Sequence, residues 1–462
     1  MYDLQSRWKK QGRSLVYHGL RCPPHLFQNR ISLSAKQEKI VARLPCRLTK
    51  QELAILGRLV GVQIVPMEEK RAIPTSLETA HFCKSCVAND FMIPGLEFDR
   101  NGLCPICQTT DETASYKSIL PIMNEFPRAK RSRFDVALFY TGGKDSTYLL
   151  YYLSKVLGLR VLALTWEIPF LSETAVKSIS RAKQAFPSVE FISRHIADND
   201  LRRIYCRLYE LSGNVCACPS LAYVLFYPEL VANRVPYFVA GNEPAQMLGL
   251  YYNHMTPPLA YRFSEKRTLS FLFNIGRLLT LRPPLKKGQY HTLKVMHKLA
   301  GKDSLIQRKA GYANELVDNI VTAINTVPDL IKPFKRALHR SDRTGNIPAF
   351  VQVDLDAVSG GIYRWSEVKE LIQKECGWQA PCEEEKGLHT SCTLEKCKEH
   401  TQFKRFYRME STMIPFSALE LAIASSRGVL SREEALKELK NSLGFSLSEV
   451  AECSVMKEYL KL

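Results

Sequence analysis

Residues 134–153 read FDVALFYTGGKDSTYLLYYL. The run DVALFY is continuously apolar after its aspartate, as a strand covered on both faces requires. A glycine pair follows, then Lys144, Asp145, Ser146 and Thr147, then a second apolar run that predicts a helix from about Asp145 to the stop at Gly158. Gly142 and Gly143 let backbone amides turn inward with no Cβ in the way. The helix start adds unpaired N–H groups and the positive end of the dipole. Thr141, Ser146 and Thr147 can donate to phosphate oxygens. Lys144 can offset negative charge, and Asp145 can hold magnesium or orient a helix-start amide.

A Walker A loop needs Gly, four residues, then Gly-Lys-Ser/Thr. Leu138 fills the first glycine position and Asp145 follows the lysine, so that pattern fails. A plain Gly-Gly turn leaves the polar cluster after it without a purpose.

Outward from the loop, strands and helices alternate. RVLALTWEI reads as a second strand, SETAVKSISRAKQAF as a helix and VEFISRHI as a third strand. SLAYVLFYPELVANRV is a helix feeding PYFVAGNE, a fourth strand. This rhythm predicts an α/β fold, a doubly wound parallel sheet with helices on its faces. The chain divides into an N-terminal accessory α/β module (1–78), a four-cysteine knuckle (79–110), the α/β core (111–254), a basic helical region (255–345), and a segment (346–462) with a completing strand, a Cys/His-rich piece and C-terminal helices. In the first segment Thr49 predicts a helix cap and Gly61 a stop. ISLSA and VQIVP read as short strands, and Ser431 with Glu434 forms a capping box farther on.

The 462 residues carry a formal charge of +18. Residues 255–345 hold seventeen Lys/Arg against six Asp/Glu, about +11. Such a surface favours an anionic partner. The N-terminus lacks the apolar core of a signal peptide, and no apolar run is long enough to cross a bilayer. A cytoplasmic protein with no membrane partner is expected. Its fourteen cysteines then point to metal ligands or catalytic thiols rather than disulfides.

Cys83-x2-Cys86 and Cys104-x2-Cys107 have the spacing of a four-thiolate zinc site that folds a loop-rich segment. His81 reads as a neighbour of that site. Cys216 and Cys218 open a predicted helix, where a thiol pKa is lowered. Cys392 and Cys397 lie beside His389 and His400, with Cys376 and Cys382 just before them. Cys216, Cys218, Cys392 and Cys397 could form a second metal site, zinc or iron–sulfur, or be buried small residues.

TGGKDS resembles the Ser/Thr-Gly-Gly-x-Asp-Ser loop of the PP-loop, or N-type, ATP pyrophosphatases. That resemblance implies a nucleotide alpha-hydrolase (HUP-like) core using ATP and magnesium. In such enzymes ATP is cleaved between its α and β phosphates, AMP is placed on a substrate oxygen, and a nitrogen or sulfur nucleophile displaces it. It implies catalytic roles for Lys144, Asp145 and Ser146, nucleotide contacts from Thr141 through Thr147, and adenine contacts from Thr165 to Glu167. It also implies a glycine motif at Gly241 and Asn242. The knuckle CKSCVANDFMIPGLEFDRNGLCPIC, with CACPSLAYVLFYPELVANRVPYFVAGNEPAQ, WSEVKELIQKECGW and GVLSREEALKEL, is similar to the N-acetyl sugar amidotransferase branch. This implies a sugar or sugar-nucleotide substrate and ammonia from a glutaminase subunit. PP-loop tRNA sulfurtransferases are also similar. For them Cys216 and Cys218 would be catalytic thiols, an iron–sulfur cluster is a candidate cofactor, and tRNA phosphates would meet the basic helices. A catalytically silent nucleotide-binding scaffold is the third reading.

Overall fold

The computed structural model describes residues 1–26, 28–109, 120–215, 217–239, 241–253, 267–301, 315–381, 387–389 and 391–462. The first strands are β1 (Tyr2–Leu4), β2 (Trp8–Gln11), β3 (Ser14–Tyr17), β4 (Arg30–Ser32) and β5 (Ile64–Pro66). β2, β3 and β4 form an antiparallel sheet, and β1 pairs antiparallel with β5. Thr49 caps the helix Lys50–Leu56 in a capping box with Glu52, as its sequence predicts. The stop differs: Gly57, at φ 53°, ends the helix, and Gly61 lies in the turn before β5.

The central sheet contains β6 (Val136–Phe139), β7 (Val161–Trp166), β8 (Glu190–Arg194), β9 (Tyr237–Val239) and β10 (Ala349–Val351). Its order is β10-β9-β6-β7-β8, and every pairing is parallel. The chain moves from β6 outward through β7 to β8, then returns to the other side of β6. Strand order therefore reverses between β6 and β9. In open α/β sheets ligands bind at such a point, beyond the carboxyl ends of the strands. The TGGK loop leaves β6 and the GNEP loop leaves β9, so the two face each other there.

The helix Lys144–Tyr151 continues through a π turn, Tyr152–Val156, and Gly158 reverses the chain at φ 58°. The helix Trp365–Cys376 packs against Lys144–Tyr151 and against Glu173–Ala185. The helix Phe416–Ser426 lies between Pro244–Tyr252 and the knuckle's short helix, Pro105–Gln108. One apolar core runs through all of these, including Cys83, Cys86, Leu149, Val239, Trp365 and Leu419. The helices Gln289–Leu299, Glu315–Ile324 and Pro328–Thr344 build a second core with Asp198–Ser212 and Cys218–Ala232. Among the described residues no helix is long and apolar enough to cross a membrane.

Candidate functional site

Gly142 carries the turn out of β6 at φ 74°. Gly143 then caps the helix Lys144–Tyr151 with extended backbone and no side-chain cap, which leaves the helix-start amides for a ligand. The hydroxyls around them are ordered. Ser146 Oγ lies 3.2 Å from Thr141 Oγ1 and donates to the Gly143 carbonyl at 3.1 Å. Thr147 Oγ1 donates to the same carbonyl at 2.9 Å. Trp378 Nε1 donates to the Gly142 carbonyl at 3.0 Å. The loop is held from both sides before any ligand arrives.

Lys144 is buried and bridges the two loops. Its ammonium pairs with Asp145 and with Glu243 Oε2 at 3.3 Å. The Tyr363 and Trp365 rings each have their centre 4.7 Å from the same nitrogen. Burial works against the charged lysine, but Asp145 and Glu243 outweigh it and raise its pKa. Burial pushes the Glu243 carboxyl up despite Lys144. Tyr363 donates to Asp145 Oδ1 at 2.9 Å and Trp365 Nε1 to Glu243 Oε2 at 2.7 Å. Glu243 Oε1 is buried with no hydrogen-bond partner. An orphaned carboxylate oxygen beside Asp145 suits a bound cation or a ligand donor.

A second charged group adjoins the first. Asn242 donates to Gln246 Oε1 at 2.9 Å, and Gln246 donates to Glu420 Oε1 at 3.1 Å. His389 lies between Glu420, 2.9 Å away, and Glu395. Burial opposes its protonation, yet the two carboxylates hold its pKa well above the ordinary imidazole range.

The geometry places the expected nucleotide residues unevenly. Thr141 through Thr147 and Gly241 share one locality, the ideal Cβ position of Gly241 lying 4.0 Å from Ser146 Cβ. Asn242 is exposed beside them. Thr165 is at the end of β7, but its hydroxyl is occupied by the Tyr140 carbonyl at 3.0 Å. Trp166 Nε1 is buried without a partner, and Glu167 is exposed. Glu243, Tyr363, Trp365, Trp378, His389, Glu395 and Glu420 were not singled out for this locality by sequence. Only Glu243 had a usable signal, its position two residues beyond the glycine of the β9 loop.

The knuckle thiolates Cys83, Cys86, Cys104 and Cys107 lie within 4.8 Å of one another. Cys83 and Cys107 are 3.8 Å apart, and Cys86 and Cys104 3.6 Å. Sulfurs about 2.3 Å from a shared tetrahedral ion are about 3.8 Å apart. The set fits one metal ion; an iron–sulfur cluster would put several metals between the same thiolates. His81 bonds Asp90 and stays outside the group. Val87 N–H donates to Ser425 at 3.2 Å and Cys107 lies 3.3 Å from Ser426 Oγ, so the knuckle rests on the end of Phe416–Ser426.

The second cysteine group separates. Cys216 and Cys382 lie outside the described residues. Cys218, Cys392 and Cys397 do not converge on one metal position. The Lys398 ammonium instead sits 3.5 Å from Cys218 Sγ and 3.3 Å from Cys392 Sγ. Burial raises the Cys392 thiol pKa and Lys398 opposes that. Cys397 hydrogen-bonds Cys453. These two line a cavity of about 460 Å³ with His400, Lys404, Arg408 and Lys457, and no loop residue reaches it. Cys376 is buried at the end of its helix.

No protein-family model matches the chain, and no curated protein sequence matches it. Solved structures with some likeness include the U34-tRNA thiolase NcsA from Methanococcus maripaludis with its 4Fe-4S cluster. It is 14% identical, with 56% of this chain and 88% of that chain covered and a TM-score of 0.23. Another is a glutamine-dependent NAD+ synthetase from Acinetobacter baumannii in complex with adenosine diphosphate. It is 16% identical, with 53% and 49% covered and a TM-score of 0.21. At such scores neither likeness bears on what this chain does.

Proposed function

We propose that this chain is an ATP-dependent adenylating enzyme of the PP-loop kind. One observation carries the reading: the TGGKDS loop sits where strand order reverses, with its lysine tied to Glu243 of the opposite loop. ATP phosphates would lie against the amides at the start of Lys144–Tyr151 and the hydroxyls of Thr141, Ser146 and Thr147. Asp145 and Glu243 would hold magnesium, which supplies charge neutralisation at the phosphates. A substrate carbonyl or amide oxygen attacks the α-phosphorus and pyrophosphate leaves. Lys144 stays protonated through this and balances the charge that gathers on the leaving oxygens. Ammonia then attacks the activated carbon, loses a proton, and AMP departs with the oxygen. An N-acetyl sugar or sugar nucleotide is the proposed acceptor, and a glutaminase subunit the proposed ammonia source. The knuckle would hold zinc as a closed structural site.

Sulfur transfer to tRNA or a small molecule is the second reading. The observation that favours it is geometric: the Lys398 ammonium lies 3.5 Å from Cys218 Sγ and 3.3 Å from Cys392 Sγ, which brings two thiols to one cation.

Pyrophosphate release from ATP, assayed with candidate acceptors, tests both. Asp145→Asn should lower the rate by about 100-fold or more, and an unchanged rate would defeat the adenylation reading. Cys218→Ser should leave a nitrogen-transferring activity intact and abolish a sulfur-transferring one.

A further inference from the structure

Residues 267–287 read RTLSFLFNIGRLLTLRPPLKK. At about 100° per residue, Phe271, Leu272, Ile275, Leu278 and Leu279 share one sector of the helix Arg267–Leu279, about 120° wide. In a helix of a globular domain that sector faces the core. Here it faces outward: Phe271 is 66% exposed, Leu279 is 80%, and Leu281 just beyond is 94%.

The polar residues hold the inner side. Asn274 exchanges two hydrogen bonds with the backbone of Leu285, at 3.1 and 2.8 Å. Arg277, only 5% exposed, donates to the Pro283 carbonyl at 2.8 Å, to Asp342 Oδ1 at 2.7 Å and to the Asp342 carbonyl at 2.9 Å. Phe273 turns its ring to Tyr290, 5.3 Å between centres. The helix is thus fastened by polar groups with its apolar face outward, so the exposure follows from specific bonds.

Lys286 and Lys287, which follow the helix in sequence, are exposed, while Arg282 pairs with Asp342 at 2.9 Å. A second copy docking face to face about a two-fold axis would bring these like charges near one another. An anionic bilayer would neutralise them and take up the apolar sector together. We infer that this helix docks the protein on an anionic membrane surface, lying in the interface plane with Phe271, Leu272, Ile275, Leu278 and Leu279 in the acyl boundary. The expectation of no membrane partner rested on the length needed to span a bilayer, and a helix lying in the interface needs no such length. The inference is independent of the ATP reading.

The test is co-sedimentation of the full chain with vesicles of phosphatidylcholine containing about one-third phosphatidylglycerol. The protein should pellet with these, and roughly tenfold less tightly with pure phosphatidylcholine. Leu272→Asp/Leu279→Asp should keep the wild-type Tm, because both side chains lie in solvent, and should bind the anionic vesicles at least about tenfold less tightly. No pelleting of the wild type, or equal pelleting of the variant, would overturn the inference. So would a concentration-dependent dimer that the variant abolishes, which would assign the face to a second copy.

Discussion

A Cβ at Gly142 would lie 2.6 Å from the Ala175 carbonyl oxygen and 3.0 Å from Ile179 Cγ1, at a φ of 74° that disfavours L side chains. Gly142→Ala should therefore cost about 2 kcal/mol or more, read as a lowered Tm, and should slow pyrophosphate release by displacing the loop. His389 gives a pH signature. Its folded pKa is raised, so its contribution to stability is complete below about pH 6.5 and is lost as pH rises through the higher folded value. Thermal scans from about pH 6 to about pH 10 should show an alkaline decline in Tm that is shallower in His389→Gln. A decline of equal slope would remove His389 as its source. At this scale the sequence disclosed Thr141 to Thr147 because they are contiguous. Tyr363, Trp365 and Trp378 were silent because an aromatic beside a helix end looks the same whether it meets a core or a polar group more than 200 residues earlier, as Tyr363 meets Asp145 and Trp378 the Gly142 carbonyl. Cys397 misled because its spacing from Cys392 carries no information about which direction each thiol faces.

The helix Phe416–Ser426 is a lever with two loads. Its last residues, Ser425 and Ser426, touch the knuckle, and Glu420, a turn and a half earlier, faces His389 and Gln246. With metal in the knuckle as proposed, a strong chelator should lower Tm by about 5 °C or more. It should also weaken pyrophosphate release, although no thiolate reaches the loop. Cys83→Ser should do the same, and full activity in a metal-free, folded protein would sever the link. The inner strands were legible as elements because each is a short apolar run bounded by turn residues, whereas the edge strand β8 reads EFISR with no buried position; the Ser431–Glu434 capping box appears as expected. The order β10-β9-β6-β7-β8 was beyond reading, since periodicity reports which face is buried and not which strand lies alongside. Phe416–Ser426 showed itself only as helical; its position between knuckle and site arises from tertiary packing.

Across the whole molecule, distant segments close on each other. Arg7 is buried and donates to the carbonyls of His18, Tyr407 and Phe406 at 2.6, 2.6 and 2.7 Å, tying the N-terminal strands to the end of the helix Glu395–Tyr407. Arg7→Ala would leave these carbonyls unpaired and should cost about 3 kcal/mol, seen as a lower denaturant midpoint. An unchanged midpoint would mean that the three Arg7 bonds add nothing to stability. Sequence separated the N-terminal module by its lack of chemistry, but could not show that Arg7, with Lys9 and His18, fastens it across some 400 positions. The Val87–Ser425 bond spans 338 positions, and that span has a consequence in time. At about 5–20 residues added per second, the ribosome needs about 20 to 70 s to make the chain between them. From the synthesis of Cys107 onward, which is most of that interval, the four cysteines are present while the helix that covers them is not. Capture of the proposed metal can therefore precede burial, and a nascent chain stalled before Phe416 would present an uncovered knuckle to chaperones.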